Sequence, residues 1–147
     1  MKKLTLLSSN PINNNAGLLI IRLIIGSLMA FFGYEKLIHF NEMAASDFWA
    51  NNVSFLGMKG GVPLALTIFA ELFCSVFLIL GLFTRFSLII LAFCMGYIFI
   101  VIFPGSILEK GENGYKFDEA FLYFVFYIGL LFTGPGKYSL DSRIFKK

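Results

Sequence analysis

Three charged side chains stand inside stretches that are otherwise apolar, and they define the chemistry open to this chain. Glu71 lies near the middle of the run Val62–Phe83, Arg22 about two turns into Ala16–Ile38, and Lys36 near the end of that same run. A charge at the centre of a bilayer costs on the order of 2.5–3.5 kcal/mol on insertion scales, so such residues face a protein interior or a water-filled site. Glu71 is too short and too deep to reach the surface. It is either protonated or paired with a cation; Arg22 and Lys36 are the partners available, and spacing does not choose between them. A buried carboxylate of this kind serves as an inter-helix tie or as a proton- or ligand-binding group. Thr67, Cys74 and Ser75 share its helix face. Counting from Arg22, residues Gly26, Met29, Gly33 and Lys36 recur on one face, and the two glycines there point to close helix contact. Arg22 has a second reading, in which it snorkels to the headgroups. Glu119, with Tyr123 and Tyr127 one and two turns on, makes a further amphipathic face, although Asp118 and Glu119 also suit a plain helix N-terminus.

Other chemistries find no support. Cys74 and Cys94 have neither Cys-x-x-Cys nor zinc spacing, and thiols packed in apolar runs are inert. His39 is the single histidine, so the paired axial imidazoles of a membrane b-type haem are not available, and no cluster of metal ligands accompanies it. It reads as an exposed interfacial residue beside Glu35. No nucleophilic triad, phosphate loop or basic patch with interleaved aromatics is present, so no nucleic-acid partner is expected.

The elements that position these residues follow from composition. Of the 147 residues, 58% are hydrophobic and only 14% charged, against about 25% charged in a soluble domain. The solvent that suits such a surface is a bilayer. The expected fold is all-α, an integral membrane four-helix bundle with spans at about 16–38, 62–83, 85–103 and 118–133. Asn15 is a suitable N-cap for the first span. Pro63 sits at the first turn of the second. Pro104-Gly105 stops the third and Gly134-Pro135-Gly136 the fourth. These runs are apolar all round and lack the alternation of barrel strands. Residues 1–15 read as an uncleaved N-terminal tail, because Leu4–Leu7 is too short for a signal peptide core. Residues 16–141 form the four-span domain, and 142–147 a basic C-terminal tail. A tight turn near Thr84 joins spans two and three. The loop from His39 to Gly61, with Trp49, reads as a segment lying in the membrane interface. Lys2, Lys3, Arg85, Lys137, Arg143, Lys146 and Lys147 fall on one side with Asp141. Lys36, Lys59, Lys110 and Lys116 fall on the other, among Glu35, Glu42, Asp47, Glu109, Glu112, Asp118 and Glu119. The more basic side is cytoplasmic by the positive-inside rule, so both termini are expected there.

Three stretches carry a resemblance. Arg22-Leu23-Ile24-Ile25-Gly26 with Phe31-Phe32-Gly33-Tyr34-Glu35-Lys36-Leu37 resembles the first-helix pattern of the DoxX family. Glu71-Leu72 with Leu80-Gly81-Leu82-Phe83-Thr84-Arg85 resembles its second-helix motif, and Thr133-Gly134-Pro135-Gly136-Lys137-Tyr138-Ser139-Leu140-Asp141 its closing motif. The resemblance spans about Ala16 to Asp141. It implies a small four-helix protein of the bacterial cytoplasmic (inner) membrane. The family is named for the small subunit of a thiosulfate:quinone oxidoreductase, and other members are associated with oxidative-stress complexes. Many members carry a histidine before the glycine of the first motif, where this chain has Phe32. Many carry another near the end of span three, where it has Ile102-Phe103.

Two functions follow as expectations. The first is a redox-associated subunit that binds a quinone or other apolar molecule between its helices, without a covalent cofactor, beside a partner oxidoreductase. Arg22, Lys36 and Glu71 would face the head group, with Glu119 and Tyr123 at its outer end. The second is a non-enzymatic accessory or scaffold subunit of a larger membrane complex, which the absence of the two family histidines favours. The partner in either case is a membrane or peripheral protein, or a second copy of the chain. A transporter is less suited, since four short spans leave little room for alternating access within one protomer.

Overall fold

The computed structural model describes residues 12–104, 107–111 and 114–145. The N-terminal tail through Pro11, with Lys2 and Lys3, lies outside the described residues, as do Gly105, Glu112, Lys146 and Lys147. So do the side chains of Glu109, Lys110 and Lys116.

Three helices are long and apolar enough to cross a membrane: α1 (Asn14–Ile38), α3 (Gly61–Leu80) and α4 (Thr84–Ile102). A fourth apolar helix, α5 (Glu119–Thr133), has 15 residues, about 22 Å against a hydrocarbon core of roughly 30 Å. Short helices α2 (Phe40–Ala45) and α6 (Leu140–Ile144) lie at opposite ends of the bundle. Two hairpins lie in the loops: β1 (Ser54–Phe55) pairs with β2 (Met58–Lys59), and β3 (Leu108–Gly111) with β4 (Gly114–Phe117), both antiparallel. The bundle thus has a loop end, where the hairpins lie, and a terminal end, where α6 and the start of α1 meet.

The α1 N-cap is Asn13, whose side chain accepts from the Ala16 N–H at 3.1 Å, rather than Asn15. Asn15 is already helical, and its Oδ1 accepts from the Lys137 N–H at 2.9 Å. Asp118 caps α5 by accepting from the Phe121 N–H at 2.9 Å. The buried face of α1 is Arg22, Ile25, Gly26, Met29 and Gly33. Its glycines bring α1 onto α3: a Cβ on Gly33 would stand 2.6 Å from the Leu72 backbone nitrogen, and one on Gly26 would meet Ile79 at 2.7 Å. Large side chains elsewhere on α1, including Leu28 and Phe31, face outward, as lipid contact requires.

The main core joins Ile25 and Met29 of α1, Cys74 and Leu78 of α3, Leu88, Leu91 and Met95 of α4, and Tyr127 and Leu130 of α5. A second cluster joins Trp49 and Val53 to Leu64 and Ile68. Trp49 is only 6% exposed, so its ring packs inward as a plug over the start of α3. The loop is drawn down by the Gly60 N–H, which donates to the Trp49 carbonyl at 2.9 Å, and by the Tyr97 hydroxyl, which donates to the Ser54 carbonyl.

Candidate functional site

Glu71 is carried on a widened turn. Residues Phe69–Cys74 of α3 are π-helical, with the flanking segments α-helical. A π turn holds one residue more than the α-helix would place there; Phe48–Asn52 and Ile98–Ile102 are π-helical as well, so the turn matters here for where it aims Glu71. Here Ala70, Glu71 and Cys74 are all turned inward. Glu71 is 3% exposed and meets Lys36 of α1, 21% exposed, with Nζ 2.5 Å from Oε2. Of the two cations available by sequence, Lys36 is therefore the partner.

Aromatic rings surround the pair. The Lys36 ammonium lies 5.9 Å from the centre of the Phe32 ring, within cation–π range. Phe32 meets Tyr123 edge-on at 6.4 Å, and Tyr123 stacks on Tyr127 at 6.0 Å. Tyr127 is fully buried and has Glu71, Tyr123 and Cys94 as electrostatic neighbours. Its hydroxyl bonds to no described residue. Glu119 is exposed, one turn before Tyr123, and close enough to bear on it electrostatically. Lys36, Glu71, Tyr123 and, at the rim, Glu119 thus share the loop-end half of the bundle.

Arg22 does not join them. It lies four turns from Lys36 along α1, roughly 21 Å at 1.5 Å per residue, and is 1% exposed at the terminal end. Its guanidinium neither snorkels nor pairs with a carboxylate oxygen. Nη1 donates to the Pro135 carbonyl and Nη2 to the Tyr138 carbonyl, the latter at 2.7 Å. The cause lies in the segment after α5, which turns back beneath the bundle and leaves carbonyls to satisfy. Asp141 completes this clasp. Its carboxylate accepts from the Phe83 and Thr84 N–H groups at 2.7 and 2.8 Å, and its own N–H donates to the Gly81 carbonyl at 2.8 Å.

An apolar cavity of about 280 Å³ lies between α3 and α4 under the Trp49 plug. Its walls include Trp49, Phe55, Thr67, Phe69, Cys94 and Tyr97. Exposed Leu66, Phe69 and Phe93 stand at its edge, so it opens sideways where lipid would lie. Glu71 is one turn beyond Thr67 on α3, and Cys94 on the cavity wall has Glu71 and Lys36 among its electrostatic neighbours. Cys74 and Cys94 are both free thiols. The cavity wall includes Ala70 and Cys94 but not Lys36, Glu71 or Tyr127; a small apolar molecule fits the cavity, and its hydrogen-bonding edge would meet the pair and the phenol only past that wall.

Tyr127, Phe32 and the cavity wall were outside the site expected from sequence. The Tyr123–Tyr127 spacing was a signal for the first. The cavity depends on how the loop folds over α3, which no local pattern announces.

The apolar helices and their outward-facing side chains define a small multi-pass membrane protein. The chain belongs to the DoxX family, whose model matches residues 17–104. It is similar to an uncharacterised protein of Haemophilus influenzae, with 30% identity over 139 residues covering 86% of this chain and 90% of the other. No solved structure matches it.

Proposed function

We propose that this protein is a redox-associated membrane subunit that holds a quinone, or an apolar molecule of that kind, in the loop-end half of the bundle beside a partner oxidoreductase. The observation that carries this reading is the Tyr127 hydroxyl, fully buried without a described partner next to the Lys36–Glu71 pair. A buried hydroxyl left unsatisfied costs about 1–3 kcal/mol. A ligand carbonyl reaching it from the cavity relieves that cost. The pair then sets the local field, and Glu71 is placed to take or return a proton. In this reading α5 is the fourth crossing. The terminal end faces the cytoplasm of a bacterial inner membrane, because Arg85, Lys137 and Arg143 gather there.

The test is native mass spectrometry of protein extracted with its own lipids, followed by titration with a short-chain benzoquinone. A quinone-sized adduct is expected on the wild type, about tenfold weaker in Tyr127→Phe and in Glu71→Gln. If Tyr127→Phe leaves binding unchanged, the hydroxyl has no part in it. A co-purified protein with no small molecule would transfer the assignment to an accessory subunit. The Lys36–Glu71 contact favours that second reading to one extent: the pair is satisfied within the protein and needs no ligand to neutralise it.

A further inference from the structure

At the terminal end, Arg85, Lys137 and Arg143 are exposed, and none forms an ion pair among the described residues. The acid placed among them, Asp141, has both carboxylate oxygens engaged by the N–H groups of Phe83 and Thr84. That engagement also fixes the cations relative to one another. Arg85 follows the capped turn by one residue. Arg143 sits on α6, which Asp141 starts off against that turn. Lys137 lies between the two carbonyls held by Arg22, its own N–H fixed by Asn15. Around them stands a collar of exposed apolar side chains: Phe83, Phe86, Tyr138, Ile144 and Phe145, with the Phe83 and Phe145 rings 6.3 Å apart. Cations without counter-ions beside aromatic rings, at the edge of an apolar helix bundle, match a ligand with a negative head and hydrocarbon tails.

We propose that this end of the protein is a binding site for an anionic phospholipid. Its phosphate lies among Arg85, Lys137 and Arg143, and its acyl chains run over Phe83, Phe86 and Phe145. A free anion would use the cations but leave the collar uncovered, and a protein partner would bring carboxylates without tails; the joint presence of both features favours lipid. The site is independent of the cavity between α3 and α4, at the other end of the bundle.

The experiment is native mass spectrometry of the full chain from nanodiscs holding equal phosphatidylglycerol and phosphatidylcholine, counting the lipids that stay bound. The wild type is expected to retain phosphatidylglycerol selectively. Each single substitution, Arg85→Gln, Lys137→Gln or Arg143→Gln, should lower that selectivity roughly fivefold. Lys59→Gln, a cation change at the loop end, should leave it intact. Arg143→Gln, on an exposed face of α6, keeps the test available if the others fail to fold. Equal retention of the two lipids by the wild type, or selectivity unchanged in all three variants, would overturn the proposal. So would displacement of the lipid by inorganic phosphate at concentrations that leave Lys59→Gln and wild type alike stripped.

Discussion

Lys36 and Glu71 form a tie whose value depends on both ends. Breaking a buried pair by removing one partner typically costs about 3–5 kcal/mol, whereas replacing both with apolar groups is often neutral or stabilising. Lys36→Met alone is therefore expected to lower the thermal unfolding midpoint in detergent, and Lys36→Met with Glu71→Leu to restore it. If the double variant is as unstable as the single one, the pair supports the fold beyond charge balance. Gly81 gives a second residue-scale case. It sits at φ +68°, and a Cβ there would lie 2.5 Å from the Ser139 Cβ and 2.8 Å from the Arg22 guanidinium. Gly81→Ala combines left-handed strain with a clash against backbone, on the order of 2–4 kcal/mol. Its measured effect should far exceed that of Gly129→Ala, where a Cβ meets nothing within 4 Å. The α1 face from Arg22 to Lys36 was legible because a helix repeats every 3.6 residues. The choice between Arg22 and Lys36 as partner of Glu71 was not, since it depends on how far α1 slides along α3 and on carbonyls contributed by a segment more than a hundred residues away.

Among the elements, the loop over α3 has the most to do with the cavity. Tyr97 on α4 reaches across to the Ser54 carbonyl, joining the roof to the wall. Tyr97→Phe removes that bond while keeping the ring packed on Phe55, 5.4 Å away. The expected result is a helix content unchanged by circular dichroism, with Trp49 fluorescence quenched more readily by a membrane-soluble quencher. Unaltered quenching would mean that the Trp49 packing holds the roof by itself. The π turn at Phe69–Cys74 and the hairpins at Ser54–Lys59 and Leu108–Phe117 were not legible beforehand. A π turn reads in sequence like any apolar helix, and strands of two to four residues are too short to show a periodicity. The long apolar runs were legible because composition over twenty residues outweighs any local ambiguity.

For the whole molecule, the asymmetry between its two ends yields a direct topological expectation. In a background with Cys74 and Cys94 replaced by alanine, a cysteine at Ser142 should react with a membrane-impermeant maleimide only from the cytoplasmic side. A cysteine at Lys59 should react only from the opposite side. Reaction of both from one side would mean that α5, the shortest apolar helix, does not cross. That the chain belongs in a membrane was legible from composition. The role of the closing motif was not, because its residues look like a helix stop and act as a fastening.

That fastening bears on the order in which the protein is made. The ribosome releases Arg22 early, and the translocon can set α1, α3 and α4 in place long before Asp141 exists. Until the segment from Pro135 to Asp141 arrives, the Arg22 guanidinium lacks its two carbonyls and the turn at Phe83–Thr84 lacks its cap. The protein is therefore inserted with Arg22 still without its carbonyls, and that segment later supplies them together with the cap. A product cut short after Thr133 would keep the four apolar helices yet leave Arg22 without the Pro135 and Tyr138 carbonyls, so its insertion and its completion are separable events.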